Sequence, residues 1–199
     1  MTRLHARLIT DDEAINPTKQ EILFNIKDFF GQAERDDVVA LYVASHGKTE
    51  NGVYYFFPSD TGFADDGKFD IRTAINRDEL TEVLDIPGRK IVMLDTCESG
   101  GVDTNRLVHT LRNRSTVIFT ASQKDENARE GGPFYDGGFF TIGITEGHNG
   151  RAAENGVVLI NTLEKYVADR VSQMSRNRQR PATLVPDSYR DFIISIVEQ

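Results

Sequence analysis

Cys97, the only cysteine of this 199-residue chain, and His46 are the side chains best suited by type to nucleophilic catalysis. A thiolate attacks carbonyl carbons well, but a free thiol is mostly protonated at neutral pH. A neighbouring imidazole can accept the thiol proton and later donate a proton to a leaving amine. This chemistry requires that the two groups lie within hydrogen-bond reach, so the elements that carry them must bring them together.

Each of the two residues follows a continuous apolar run. Residues 38–44 lead into His46, and residues 90–94 lead into Cys97. Such runs predict strands that are buried on both faces of a parallel sheet. A third run, residues 115–120, predicts another strand of the same kind. Because ligands of open parallel sheets bind at the carboxyl ends of the strands, we expect His46 and Cys97 to meet at that edge.

The rest of the chain predicts helices between further strands. Thr18, with Glu21 three residues later, forms a capping-box pattern before an apolar helical face that ends at Gly31. The other predicted elements are strands at residues 5–10, 53–57 and 192–196 and helices at residues 77–84, 139–146 and 159–172. This alternation predicts an α/β fold with a mostly parallel sheet, in one domain that spans residues 1–199.

Glycines beside the two candidate residues fit acyl transfer. A tetrahedral oxyanion needs backbone donors, and the N–H groups of Gly47 and Cys97 are the candidates for this oxyanion hole. Gly47 has no side chain to obstruct a substrate, and Gly100-Gly101 allows a sharp turn after the nucleophile. Two interpretations of these residues stay open: a Cys97–His46 dyad, or a buried cysteine and an ordinary His-Gly turn.

The sequence around both residues resembles the caspase and metacaspase family. The segments VASHG (residues 43–47) and LDTCESGG (residues 94–101) are similar to the His-Gly and Asp-x-Cys-x-Ser-Gly motifs of bacterial metacaspase-like peptidases, with the histidine about fifty positions before the cysteine. The resemblance extends over residues 54–60, 119–126, 138–141 and 180–182. It implies a caspase-like three-layer α/β/α sandwich and a cysteine endopeptidase. An inactive caspase-fold module that binds peptides or proteins is the alternative.

The resemblance also implies that part of the family fold precedes the matching segment. Family members normally carry another strand and helix before the part that resembles residues 5–30, and that first strand lies beside the histidine-bearing strand. We therefore expect another polypeptide segment, from a preceding stretch or a partner chain, to fill the place beside residues 38–44. Alternatively, residues 5–10 move inward to fill it.

Asp95 is the main candidate for substrate specificity. It lies two residues before Cys97, and in a strand such residues point to the same side. Aspartate-cutting caspases often carry arginine directly after the cysteine, where this chain has Glu98, whereas metacaspases that cut after Arg or Lys share the acid at Asp95. The alternative is that Asp95 only caps a helix or orders the turn. Further candidates for substrate binding are Ser45, Ser122, Gln123, Asp125 and Glu126.

The amino-acid composition limits the kinds of partner and ligand that we expect for this chain. The net charge of −8 argues against a nucleic-acid binder and is compatible with protein or peptide substrates that carry a basic residue before the cut. No apolar run is long enough for a membrane span, and one cysteine suits a reducing cytoplasm. We predict no cofactor and no metal site. Many metacaspases depend on calcium, but the spacing of four aspartates does not match an EF-hand: Asp60, Asp65, Asp66 and Asp70.

Overall fold

Helices and strands alternate along the chain in the computed structural model, which describes residues 4–12, 15–96, 116–122, 137–186 and 189–197. The strands are β1 (Val38–Ser45), β2 (Gly47–Glu50), β3 (Val53–Phe56), β4 (Ile75–Asn76), β5 (Arg89–Thr96), β6 (Thr116–Thr120), β7 (Val157–Leu159), β8 (Ala182–Leu184) and β9 (Ile193–Ile196). The helices are α1 (Lys19–Phe30), α2 (Arg77–Val83), α3 (Phe139–Glu146) and α4 (Ile160–Ser175).

The central sheet has the strand order β1-β5-β6-β8. β1, β5 and β6 are parallel, and β8 closes the sheet as an antiparallel strand. The prediction of a mostly parallel sheet is confirmed, but β8 was not predicted because its three residues show no extended apolar run. The strand predicted at the C-terminal end exists as β9, although it pairs with β7 outside the central sheet.

Two apolar clusters cover the two faces of the sheet. Alternate residues of β5 divide between them, with Ile91 packing against α3 and α4 and with Val92 and Leu94 packing against α1 and α2. This division follows from the alternation of side chains along a strand. The sheet therefore forms the middle of three layers, as predicted.

Local signals correctly located the first two helices. The Thr18 side chain accepts a hydrogen bond from the backbone N–H of Glu21 at 3.3 Å, and α1 ends where the Gly31 N–H donates to Lys27. α2 begins with a complete capping box between Asn76 and Glu79. These short-range bonds depend only on neighbours in sequence, which is why the sequence locates the helices well.

The prediction of a strand at residues 5–10, and of its inward move beside residues 38–44, is wrong, whereas the expectation that another segment fills that place stays a prediction. Residues 5–10 are not a strand: Arg7 lies against α1 instead, donating to Asn25 at 2.9 Å and to Asp28 at 2.9 Å. Among the described residues nothing pairs with the outer edge of β1. No residue of β1 is fully buried, and Val38 and Tyr42 are 41% and 39% exposed, because an edge strand has neighbours on one side only.

An ion pair joins the end of α3 to α4. Arg170 donates from Nε and from one terminal nitrogen to the two Glu146 oxygens at 2.7 and 2.9 Å, and the Tyr166 hydroxyl donates to the same carboxylate at 2.7 Å. These hydrogen bonds from Arg170 and Tyr166 lower the pKa of Glu146 from 4.5 to about 2. A carboxylate whose pKa is depressed by folding stabilises the folded state above its unfolded pKa, and that contribution is lost as the pH falls toward 2.

We therefore expect Glu146→Gln to lower the free energy of unfolding near neutral pH and to matter less in acid. Because the Glu146 side chain is 32% exposed, the loss should be only about 1 kcal/mol. The difference from wild type should shrink as the pH falls from 4.5 toward 2. Urea unfolding of both proteins over this range measures it. A difference that does not change with pH would contradict the assignment to this carboxylate.

Candidate active site

The register of β1 and β5 brings the ends of the two strands together. Ser45 pairs with Thr96, and these are the residues immediately before His46 and Cys97. Cys97 itself begins the segment 97–115, which lies outside the described residues. His46 is exposed, and its backbone oxygen accepts hydrogen bonds from the Ser45 hydroxyl at 2.9 Å and the Phe57 N–H at 3.0 Å. Ser45 thus contacts the backbone at the histidine.

Gly47 and Tyr54 make a close contact next to the histidine. A Cβ atom at Gly47 would lie 2.1 Å from the Tyr54 hydroxyl, so only glycine fits there. Tyr54 is fully buried, and its hydroxyl lies 2.5 Å from the Thr96 hydroxyl. The tyrosine therefore connects the hairpin that follows His46 to the residue that precedes Cys97. Sequence analysis did not identify this role, because Tyr54 looked like an ordinary strand residue.

We expect Gly47→Ala to displace Tyr54 from its contact with Thr96. Fitting a methyl group into this packed position should lower the free energy of unfolding by about 1–3 kcal/mol. Gly62→Ala is the matched control, because a Cβ there would meet Thr73 only at an ordinary 3.9 Å. Denaturant unfolding compares the two variants. Equal stability of Gly47→Ala and wild type would show that the tyrosine moves aside without cost.

Asp95 lies at the carboxyl end of β5 and is held by two hydroxyl groups. Thr141 donates to its Oδ2 at 2.5 Å, and the Tyr42 hydroxyl lies 3.1 Å from the same oxygen. Burial and the Asp95 charge raise the pKa of Tyr42, so its hydroxyl stays protonated. Neither partner is apparent from the sequence, because Tyr42 lies within an apolar run and Thr141 is distant in the chain.

The remaining predicted site residues follow β6 in the sequence. Ser122 is fully buried there, close to where Ala121 N–H donates to the Leu94 carbonyl at 2.9 Å. Gln179, also fully buried, donates to the Ala121 carbonyl at 2.8 Å and was not anticipated. Three predicted residues lie outside the described residues: Gln123, Asp125 and Glu126.

The acidic loop considered for calcium is largely paired within the chain. Asp66 lies 3.0 Å from the Lys68 ammonium, and Asp70 lies 2.7 Å from the Arg72 guanidinium. In the described ranges, no three acidic, histidine or cysteine side chains form a group that could hold a metal ion. Likewise, none of the helices in those ranges is long and apolar enough to cross a lipid bilayer.

Comparisons with known proteins agree with this architecture. Residues 7–193 match the family model described as the caspase domain of peptidase family C14. A structural-genomics protein from Geobacter sulfurreducens superposes with a TM-score of 0.55 at 14% identity, covering 87% of this chain and 75% of that chain. Caspase-1 from Spodoptera frugiperda superposes with a TM-score of 0.53 at 17% identity, covering 88% and 75%.

Comparison with curated protein sequences found no significant match. At identities this low, the two solved structures show a common fold and nothing about substrates. The family match is broader evidence, because it spans nearly the whole chain and includes both residues of the candidate dyad. The chain therefore belongs to the caspase-domain family of cysteine peptidases, with the three-layer α/β/α fold of that family.

Proposed function

We propose that this chain is a cysteine endopeptidase in which Cys97 is the nucleophile and His46 is its general base. The observation that carries the proposal is the parallel register of β1 and β5, in which Ser45 is paired with Thr96. One further step along each strand leads to His46 and Cys97. Neighbouring parallel strands lie about 4.8 Å apart, and we propose that the imidazole reaches the thiol from this register.

The proposed reaction proceeds through an acyl-enzyme. His46 takes the thiol proton, and the Cys97 sulfur attacks the peptide carbonyl carbon. The imidazolium then protonates the leaving amine as the C–N bond breaks. His46 next removes a proton from water, the resulting hydroxide attacks the thioester, and the released thiolate is reprotonated. In each of these reaction steps the proton is carried by His46, the substrate or water. We therefore propose that the reaction needs no metal and no cofactor.

The hairpin of β2 and β3 supports Gly47 as an oxyanion donor, together with the N–H of Cys97. In an antiparallel ladder, hydrogen-bonded and non-hydrogen-bonded pairs alternate. The bond from the Phe57 N–H to the His46 carbonyl marks the 46–57 pair as hydrogen-bonded, and Gly47 is paired with Phe56. The Gly47–Phe56 pair is then non-hydrogen-bonded, so the Gly47 N–H points away from β3 and is available to a substrate.

For specificity, we propose cleavage after arginine or lysine. Asp95 supplies a carboxylate at the same sheet edge as the dyad, and Asp125 and Glu126 add negative charge in sequence segments that follow β6. A carboxylate binds the planar guanidinium through two hydrogen bonds, whereas ammonium lacks this geometry, so arginine should be preferred. Ser45 and Gln123 are the proposed neighbours of the bound peptide, whereas Ser122 is fully buried at the end of β6. A cytoplasmic location suits the single thiol.

The experiment that tests this function compares matched fluorogenic peptides that differ only in the residue before the cut. We expect the wild-type protein to cleave the arginine peptide best, the lysine peptide less well and the aspartate peptide hardly at all. Preference for aspartate would reject the proposed specificity. Absence of cleavage of every peptide would favour the alternative below.

The alternative is a caspase-fold module that binds a peptide or partner chain without cutting it. The observation in its favour is that no described strand pairs with the outer edge of β1, where Val38 and Tyr42 are exposed. Exposed edges recruit further strands, from a preceding segment of the same polypeptide or from a partner. Rapid alkylation of Cys97 near neutral pH supports the enzyme, whereas an inert thiol supports the binding module.

A further inference from the structure

A second cluster lies at the sheet edge that carries the proposed dyad and has no part in the hydrolysis described above. It consists of Tyr42 on β1, Asp95 on β5 and Thr141 on α3. The Tyr42 and Thr141 hydroxyls lie 2.5 Å apart, and both reach Oδ2 of Asp95. Tyr42 and Thr141 are 99 positions apart in the chain, so only the folded protein brings them together.

The number of hydroxyl protons in the cluster determines the direction of its hydrogen bonds. Tyr42 and Thr141 each have one hydroxyl proton, and the ionised carboxylate has none. The 2.5 Å contact from Thr141 to Asp95 uses the threonine proton. The Tyr42 proton is then directed to Thr141 Oγ1 at 2.5 Å, with Asp95 Oδ2 more distant at 3.1 Å. The hydroxyls thus form a chain of donors that ends on one carboxylate oxygen.

The two oxygens of Asp95 differ in their surroundings. Oδ2 is enclosed, because a Cβ atom at Gly138 would lie only 3.0 Å from it, in addition to the two hydroxyl contacts. Over residues 4–12, 15–96, 116–122, 137–186 and 189–197, no side chain donates a hydrogen bond to Oδ1. An ionised carboxylate oxygen accepts hydrogen bonds strongly and rarely goes without a partner.

We infer that Tyr42 and Thr141 are positioning residues for specificity, which tie Oδ2 of Asp95 to α3 so that Oδ1 is directed to the guanidinium of a substrate arginine. The inference rests on the proposed peptidase function. A carboxylate that is already oriented loses less conformational freedom when the substrate binds, so the arginine is bound more tightly. A lysine substrate gains less affinity, because hydrogen bonds from its ammonium do not require a particular orientation of the carboxylate plane.

The test measures the ratio of kcat/KM for matched arginine and alanine peptides in Thr141→Val and in Tyr42→Phe. Thr141→Val removes the hydrogen bond to the carboxylate, and Tyr42→Phe removes the bond that orients Thr141. Because both act on the substrate only through Asp95, the ratio should fall by about five- to tenfold in each variant. The decrease should come mainly from a higher KM for the arginine peptide. Thr141→Ser retains the hydroxyl and should retain the ratio, which separates hydrogen bonding from packing.

Tyr189→Phe is the matched control for the tyrosine change. It removes a hydroxyl that donates to Asp191 at 2.5 Å, next to Phe192, which lies under Arg89 at the start of β5, the end of that strand opposite Asp95. We expect its ratio to equal that of wild type. Thermal melting of all variants identifies any that fail to fold. If Thr141→Val fails to fold, the inference is tested by comparing the arginine-to-alanine ratio of Tyr42→Phe with that of Thr141→Ser.

The outcomes separate the inference from the function on which it rests. If Asp95→Asn loses the arginine preference while Tyr42→Phe and Thr141→Val keep it, the inference is wrong and the peptidase assignment stands. If the wild-type protein cleaves no peptide, or cleaves arginine and alanine peptides equally, the proposed function fails and the inference with it. A lowered ratio in both variants, restored in Thr141→Ser, supports it.

Discussion

Replacement of Cys97 by alanine should abolish peptide hydrolysis, and replacement of His46 by alanine should nearly abolish it. We expect kcat/KM to fall by about 10⁴-fold or more without the nucleophile and by about 10³-fold without the base. The folded state should survive both changes, because His46 is exposed and the two residues come after β1 and β5 in the chain. Peptide cleavage and thermal melting, measured on the same preparations, test both parts.

The single cysteine makes a second measurement specific. Because Cys97 is the only thiol, the rate of alkylation by iodoacetamide reports on this residue alone. The rate should be high near neutral pH and should fall in His46→Ala, which lacks the base that generates the thiolate. His148→Ala is the matched control, because His148 is also exposed and lies in the turn after α3. Normal turnover by Cys97→Ala would reject the mechanism.

Replacement of Asp95 by asparagine should remove most of the preference for basic substrates. Asparagine keeps the shape of the side chain and can still accept the hydrogen bond from Thr141, but it has no charge. A charge-assisted hydrogen bond contributes about 1.5–3 kcal/mol, so kcat/KM for the arginine peptide should fall by about ten- to a hundredfold. Cleavage of the alanine peptide should fall much less.

The control for this change is Asp191→Asn. Asp191 also accepts a hydrogen bond from a tyrosine hydroxyl, at 2.5 Å, so the substitution removes a similar charge from a similar contact. Peptides that end in Arg, Lys, Asp and Ala should give the wild-type pattern with this variant. If Asp95→Asn still favoured arginine by the wild-type margin, Asp95 would be a structural residue that only anchors the start of α3.

The positions of most elements in this chain could be predicted because their signals are local. Thr18 marks the beginning of α1 and Gly31 its end, through hydrogen bonds to residues three and four positions away. The apolar runs before His46 and Cys97 are β1 and β5, and the expectation that both ends lie at one edge agrees with their parallel register. The predicted contacts of residues 5–10 were wrong. Residues 5–10 have strand-like residue types, but Arg7 bonds to α1.

The sequence by itself determined the residue types, the family and the two strands whose ends carry the proposed dyad, because each depends on short motifs and on runs of apolar residues. Tertiary structure alone decided that no described strand pairs with the outer side of β1, that Tyr54 passes beneath Gly47 to Thr96, and that Tyr42 and Thr141 hold Asp95. These contacts join residues that are far apart in the chain. Their partners are chosen by packing of the whole sheet and its helices, which no local pattern encodes.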